Sequence, residues 1–174
     1  MFFESADRSL ELATSAGFDR DRLEALTHRD YRSPNLIHVH FENLVGKSYV
    51  FAQRIADWLD PPGWCLLWIT EYGIWPSSEN LHLYYRLRQS YGDHRPLHEA
   101  PGHYFLKHER ADLVTFIDLA LQFGWGGHLF HGSSKRRMFL SHDGLLRVDS
   151  AVLDRGVIDS IDRLKLSYWV GRPH

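Results

Sequence analysis

Apolar residues recur along this chain with two periods, and the switches between them predict its elements. Phe2, Ala6, Leu10 and Ala13 keep helical spacing up to Gly17, and Leu23 with Leu26 marks a shorter helix. Phe51, Ile55, Trp58 and Leu59 form one face of a further helix that Pro61-Pro62 stops. Between them Leu36-Ile37-His38-Val39-His40-Phe41 alternates, which predicts a strand with His38 and His40 on one face and Ile37, Val39 and Phe41 on the other. Trp64 to Thr70 is apolar on both faces and short, the pattern of a central buried strand, and it ends in Glu71.

After Ile74-Trp75-Pro76, Ser77 or Ser78 can cap a helix carrying Leu81, Tyr84, Tyr85 and Arg88 that stops near Gly92. Leu113, Phe116, Ile117, Ala120 and Leu121 draw the clearest helical stripe, with Glu109 and Asp112 at its positive end and Gly124 as its stop. Three short segments follow, His128 to Gly132, Arg136 to Ser141 and Leu145 to Asp149, separated by turns. Asp143-Gly144 between apolar runs signals a hairpin of type I′, because Gly accepts positive φ without steric cost. Val157, Ile161, Leu164 and Tyr168 then predict a last helix against the core. The order implies a single α+β domain over residues 1–174, an antiparallel or mixed sheet with a C-terminal three-stranded meander, covered by helices.

Composition narrows the classes. The 44% hydrophobic content and 24% charge belong to an ordered globular chain of 174 residues, long enough for its own core. A formal charge of -2 supplies no field for nucleic acid. The one basic run, Lys135-Arg136-Arg137, reads as a solvated hairpin end. Cys65 is the lone cysteine, so no internal disulfide forms and a reducing cytoplasm is the expectation. The start, Met1 to Asp7, has neither the basic nor the apolar region of an export signal, and the apolar run Trp64 to Ile69 is far short of the ~20 residues that cross a bilayer, so no membrane association is expected.

Twelve histidines raise the question of a metal. The candidate ligands are His94, His98 and His103, in the Pro- and Gly-punctuated stretch Tyr91 to His103, and His128, His131 and His142 in the meander. None has a diagnostic spacing, and Pro101-Gly102 interrupts the helix that a zincin-like reading of His98-Glu99 to His103 requires. Val45-Gly46-Lys47-Ser48 sits between strand and helix like a phosphate loop, but Phe41 stands where the first glycine is needed. Cys65 lies inside a strand pattern, and no Gly-x-Ser-x-Gly elbow is present.

Trp68-Ile69-Thr70-Glu71, Ile74-Trp75-Pro76-Ser77, Gly102-His103-x-Phe105, Gly124-Trp125 and Ser141-His142-Asp143-Gly144 together resemble small uncharacterised bacterial α+β proteins. Some small cytoplasmic bacterial domains with a helix, a tryptophan and a terminal meander are similar to toxin-immunity proteins, which bind and block a partner. The resemblance implies a non-enzymatic, protein-binding bacterial chain and transfers no catalytic residue. Another protein is therefore the expected partner, with Glu71, Trp75, His98, His103, Trp125, His142 and Asp143 as binding candidates and no cofactor. Two alternatives stand beside it. One is a hydrolase using zinc or another transition metal, with Glu71 or Glu99 as base; the other is a small-molecule binder whose Tyr91 to His103 loop closes over an aromatic pocket.

Overall fold

The computed structural model describes residues 1–28, 30–41, 46–59, 63–71, 78–132 and 136–171. Its elements run β1 (Phe2–Glu4), α1 (Ala6–Ser15), α2 (Arg20–Thr27), β2 (Ile37–His40), α3 (Ser48–Leu59), β3 (Trp64–Glu71), α4 (Ser78–Ser90), β4 (Gly102–Leu106), α5 (Arg110–Phe123), β5 (Gly126–His131), β6 (Arg137–Ser141), β7 (Leu145–Asp149), α6 (Arg155–Leu164) and β8 (Tyr168–Val170). The strands form one eight-stranded sheet in the order β1-β4-β3-β5-β6-β7-β2-β8. Every pairing in it is antiparallel, which settles the choice between an antiparallel and a mixed sheet and gives the α+β class.

Alternation assigns each face of the sheet. Cys65, Leu67 and Ile69 on β3 join Leu129, Met138, Leu140, Leu146 and Val148 in the main core, closed by Phe51 and Ile55 of α3, Tyr84 of α4, Phe116 and Ile117 of α5 and Val157 and Ile161 of α6. Leu66 and Phe130 point to the opposite face, where Ala13 of α1, Leu23 of α2 and Phe18 between the two helices cover them. Ser5, Asp19 and Asp154 each accept a first-turn backbone N–H and so fix the starts of α1, α2 and α6. Gly102 lets α1 lie on β4: a Cβ there would collide with the Ser9 hydroxyl and stand 3.0 Å from Glu4 Cβ. Among the described residues no helix is long and apolar enough to cross a membrane.

Several local expectations need correction. Phe2 belongs to an edge strand rather than to the first helix, and Tyr168 belongs to β8 rather than to the last helix. The Tyr91 to His103 stretch is shorter as a loop than its punctuation suggests, because Gly102 and His103 already pair with β3. The β6–β7 hairpin spans His142 to Gly144 between the Ser141–Leu145 pair, and Gly144 alone carries positive φ there, so it is a three-residue connection and not type I′. The two described residues of the basic run are not a solvated end. Arg137 is 6% exposed, its guanidinium donating to Asp149 and to the Tyr31 hydroxyl, while Arg136 pairs with Asp154.

Candidate functional site

One cross-strand row runs over the α1/α2 face of the whole sheet. Register places Glu4, Gly102, Trp68, His128, Phe139, Arg147, His38 and Trp169 side by side on successive strands. Their rings touch along it: Trp68 to His128 at 6.1 Å between centroids, His128 to Phe139 at 5.0 Å, and His38 stacked on Trp169 at 4.6 Å. Helix α2 covers the row at Phe139 through Leu26 and leaves a cleft over Trp68 and His128.

That cleft has a volume of about 340 Å³, with Leu10 of α1, Arg20, Leu23, Glu24 and Thr27 of α2, and Trp68, Thr70, Glu71 and His128 of the sheet around it. Its floor is the Trp68–His128 pair. His128 is 4% exposed, and its Nδ1 is buried without a hydrogen-bond partner. Burial, helped by the charge of Arg137, holds this imidazole at about 3, so the ring is neutral.

Glu71 reaches the cleft through a fault in the ladder. Ile69 pairs with Gly127 and Glu71 with Gly126, leaving Thr70 as the extra residue of a β-bulge. Strict alternation sends Glu71 to the main-core face with Ile69; the bulge brings it to the cleft beside Thr70. The two glycines make this possible, since a Cβ on Gly127 would stand 2.9 Å from Ile69 Cα and one on Gly126 2.9 Å from Glu71 Cβ.

The β6–β7 turn then meets Glu71. His142 Nδ1 lies 2.9 Å from Glu71 Oε2, and its Nε2 lies 3.3 Å from Asp143 Oδ1. The hydrogen bond to Glu71, with the negative charge of Asp143, raises the His142 pKa above its ordinary value. In its protonated form the ring donates from Nδ1 to Glu71 and pairs through Nε2 with the charge of Asp143. The side chains of His142 and Glu71 are 39% and 36% exposed, so this bridge sits at the mouth, open to exchange with solvent.

Glu71, His142 and Asp143, expected as binding residues, therefore come together. The others do not join them. Trp125 is 6% exposed and packs on Tyr84 at 4.9 Å and Phe123 at 4.6 Å, which makes it a core residue and not a surface anchor. His103 is 1% exposed inside a buried network: Arg88 donates to the Tyr84 hydroxyl at 2.8 Å, Tyr84 donates to His103 Nε2 at 2.8 Å, and His103 Nδ1–H donates to the Pro101 carbonyl at 3.0 Å. The bonds from Arg88 through Tyr84 to His103 and Pro101 tie α4 to β4, the mark of a structural bolt. His98 is exposed on the loop, 4.0 Å from Glu99, and Trp75 lies outside the described residues.

The metal candidates are equally scattered. His94 and His98 are on the loop surface, His103 faces the main core, His128 faces the opposite side, His131 is buried beside Cys65 across the β3–β5 ladder, and His142 is in the hairpin. Among the described residues no three His, Cys, Asp or Glu side chains form a group able to hold a metal ion. A larger cavity, about 840 Å³, opens between α2, residues Tyr31 to Asn35 and the end of β7, but Arg137, Tyr31 and Asp149 at its wall already satisfy one another.

Sequence reasoning missed Trp68 as a site residue, because an apolar strand reads as core on both faces. The available signal was Trp64, Leu66, Trp68 and Thr70 on one face, which ends in a polar residue while the Cys65, Leu67, Ile69 face stays apolar. Comparison with protein-family models, curated proteins and solved structures finds no match for this chain.

Proposed function

We propose that the chain is a small-molecule-binding domain whose ligand enters the cleft between α1, α2 and the end of β3. The observation that carries this reading is His128, a neutral, buried imidazole at the cleft floor whose Nδ1 has no hydrogen-bond partner. Leaving such a group unpaired costs about 1–3 kcal/mol, and a ligand toward which the ring turns this shielded nitrogen recovers part of that as affinity. Leu10, Leu23 and the Trp68 ring supply apolar walls for a planar molecule, and Thr70 and Glu71 supply polar orientation at one end. The volume of about 340 Å³ suits a fragment-sized ligand.

Of the two tryptophans expected as protein-binding anchors, Trp125 is in the core and Trp75 lies outside the described residues. The test is a thermal-shift and NMR titration with benzamide, benzoate and benzamidine, following the Trp68 indole and His128 imidazole signals. At least one probe is expected to raise Tm and shift both signals saturably, and Leu10→Phe, which fills the cleft, is expected to abolish both effects. No response to any probe, or a response that Leu10→Phe leaves intact, overturns the reading.

A further inference from the structure

We infer that the cleft takes a planar aromatic cation, which displaces the His142 ring from the Glu71 carboxylate. This rests on the small-molecule reading and adds the charge of the ligand and the group it replaces.

The charge inventory comes first. Glu24 and Glu71 line the cleft against one cation, Arg20, and Asp143 adds a third carboxylate on the far side of His142. His128 at the floor carries no charge of its own. Once His142 is set aside the mouth is therefore net negative, and an anionic ligand would face more carboxylates than cations.

The second observation is what now occupies Glu71. The His142 ring, a flat heteroaromatic that is cationic when protonated, lies with Nδ1 2.9 Å from Glu71 Oε2, and both partners are more than a third exposed. The protein thus fills the subsite with a side chain of the same chemistry as the proposed ligand, in a contact weak enough to exchange. An amidinium or aminoheterocycle can present two parallel N–H groups to the carboxylate, a geometry that a single imidazole nitrogen does not reach.

Glu71 stays in place during this exchange. Its backbone is pinned by the Thr70 bulge and its side chain lies against Gly126, so the carboxylate does not depend on His142 for its direction. The Trp68 ring, next to it on the cleft floor, favours a cationic ring over a neutral one through its quadrupole.

The experiment is calorimetric titration of benzamidine and its neutral near-isostere benzamide into the wild type, Glu71→Gln and His142→Ala, with the Trp68 indole followed by NMR and Tm recorded for each variant. Benzamidine is expected to bind about tenfold or more tightly than benzamide. Glu71→Gln is expected to remove that preference while leaving benzamide binding as it was, and His142→Ala to tighten benzamidine alone. If a substitution lowers Tm, Glu71→Thr, which also removes the carboxylate, and His142→Gln replace it in the same comparison. Equal binding of the two probes with Trp68 shifted by both overturns the cation inference and leaves the cleft standing. A His142→Ala variant that binds benzamidine no better overturns the displacement. Failure of both probes to shift Trp68 removes the cleft reading and this inference with it.

Discussion

Gly126 lies so close to Glu71 that a Cβ on the glycine would stand 2.9 Å from the Glu71 Cβ and collide with the carboxylate. The contact couples the first residue of β5 to the side chain at the cleft mouth. Gly126→Ala is therefore expected to turn Glu71 away from His142, and the His142 imidazole, followed by NMR, should then titrate closer to its ordinary pKa. Retention of the raised pKa in a folded Gly126→Ala protein would contradict this account.

The His142 bridge makes a small contribution to stability with a defined pH window. Its folded pKa is raised, so the contribution is fully present below the ordinary value of 6.5 and is lost as pH rises through the higher folded value. Both side chains are more than a third exposed, which limits the pair to about 0.2–1 kcal/mol and makes it weaken with salt. The stability gap between wild type and His142→Ala, from urea unfolding, is expected to shrink with rising pH and with added salt. A gap independent of pH would show that the ring does not act through its charge.

Three buried histidines act in the opposite sense. Burial lowers His38 to about 4 and His103 and His128 to about 3, from an ordinary 6.5, with nearby Arg147, Arg88 and Arg137 respectively adding to the effect. Their contribution is present above 6.5 and is lost as pH falls, because the unfolded chain takes up protons that the native state refuses. Each adds up to about 1.4 kcal/mol per pH unit once its unfolded form is titrating. Urea midpoints should fall steeply between about pH 7 and pH 5 while the imidazole signals of all three stay neutral in the folded protein. Unchanged stability over that interval would refute the buried-neutral assignment.

Tyr84→Phe is expected to be costly out of proportion to the atom removed. The hydroxyl accepts from Arg88 and donates to His103, and its loss leaves two buried groups each short of a partner. A penalty of about 1–3 kcal/mol is the usual size for an unsatisfied buried group, seen as a lower urea midpoint at unchanged m. The cleft lies on the opposite face of the sheet from this network and should bind benzamidine as before.

Much of the fold was legible because long amphipathic patterns decide it. The stripe Leu113, Phe116, Ile117, Ala120 and the Gly124 stop became α5, with Gly124 at φ 62°. The alternation of Ile37, His38, Val39 and His40 became β2 with its two faces as expected. The sheet edges were not legible: β1 and β8 have three residues each, too few for a period to show. Gly102-His103 looked like loop, since the glycine that admits Ser9 of α1 carries the same local signal as a turn.

For the site, Glu71, His142 and Asp143 were identified as residues but not as neighbours. Their meeting depends on a bulge, and a one-residue shift in a ladder leaves no trace in hydrophobic alternation. Trp125 misled because aromatic residues at element junctions serve as anchors or as plugs with the same sequence signature.

Strand β2 has both of its ladder partners far downstream, Ile37 pairing with Val148 on one side and Val170 on the other. During synthesis it emerges long before either exists, so its amides and its apolar side, Ile37 and Val39, wait unpaired through most of translation. Closing so large a loop is slow, and the three strands β7, β2 and β8 are the part of the sheet assembled last. The interval from the emergence of β2 to that of β7 is therefore the one in which both edges of this strand stand open to other chains.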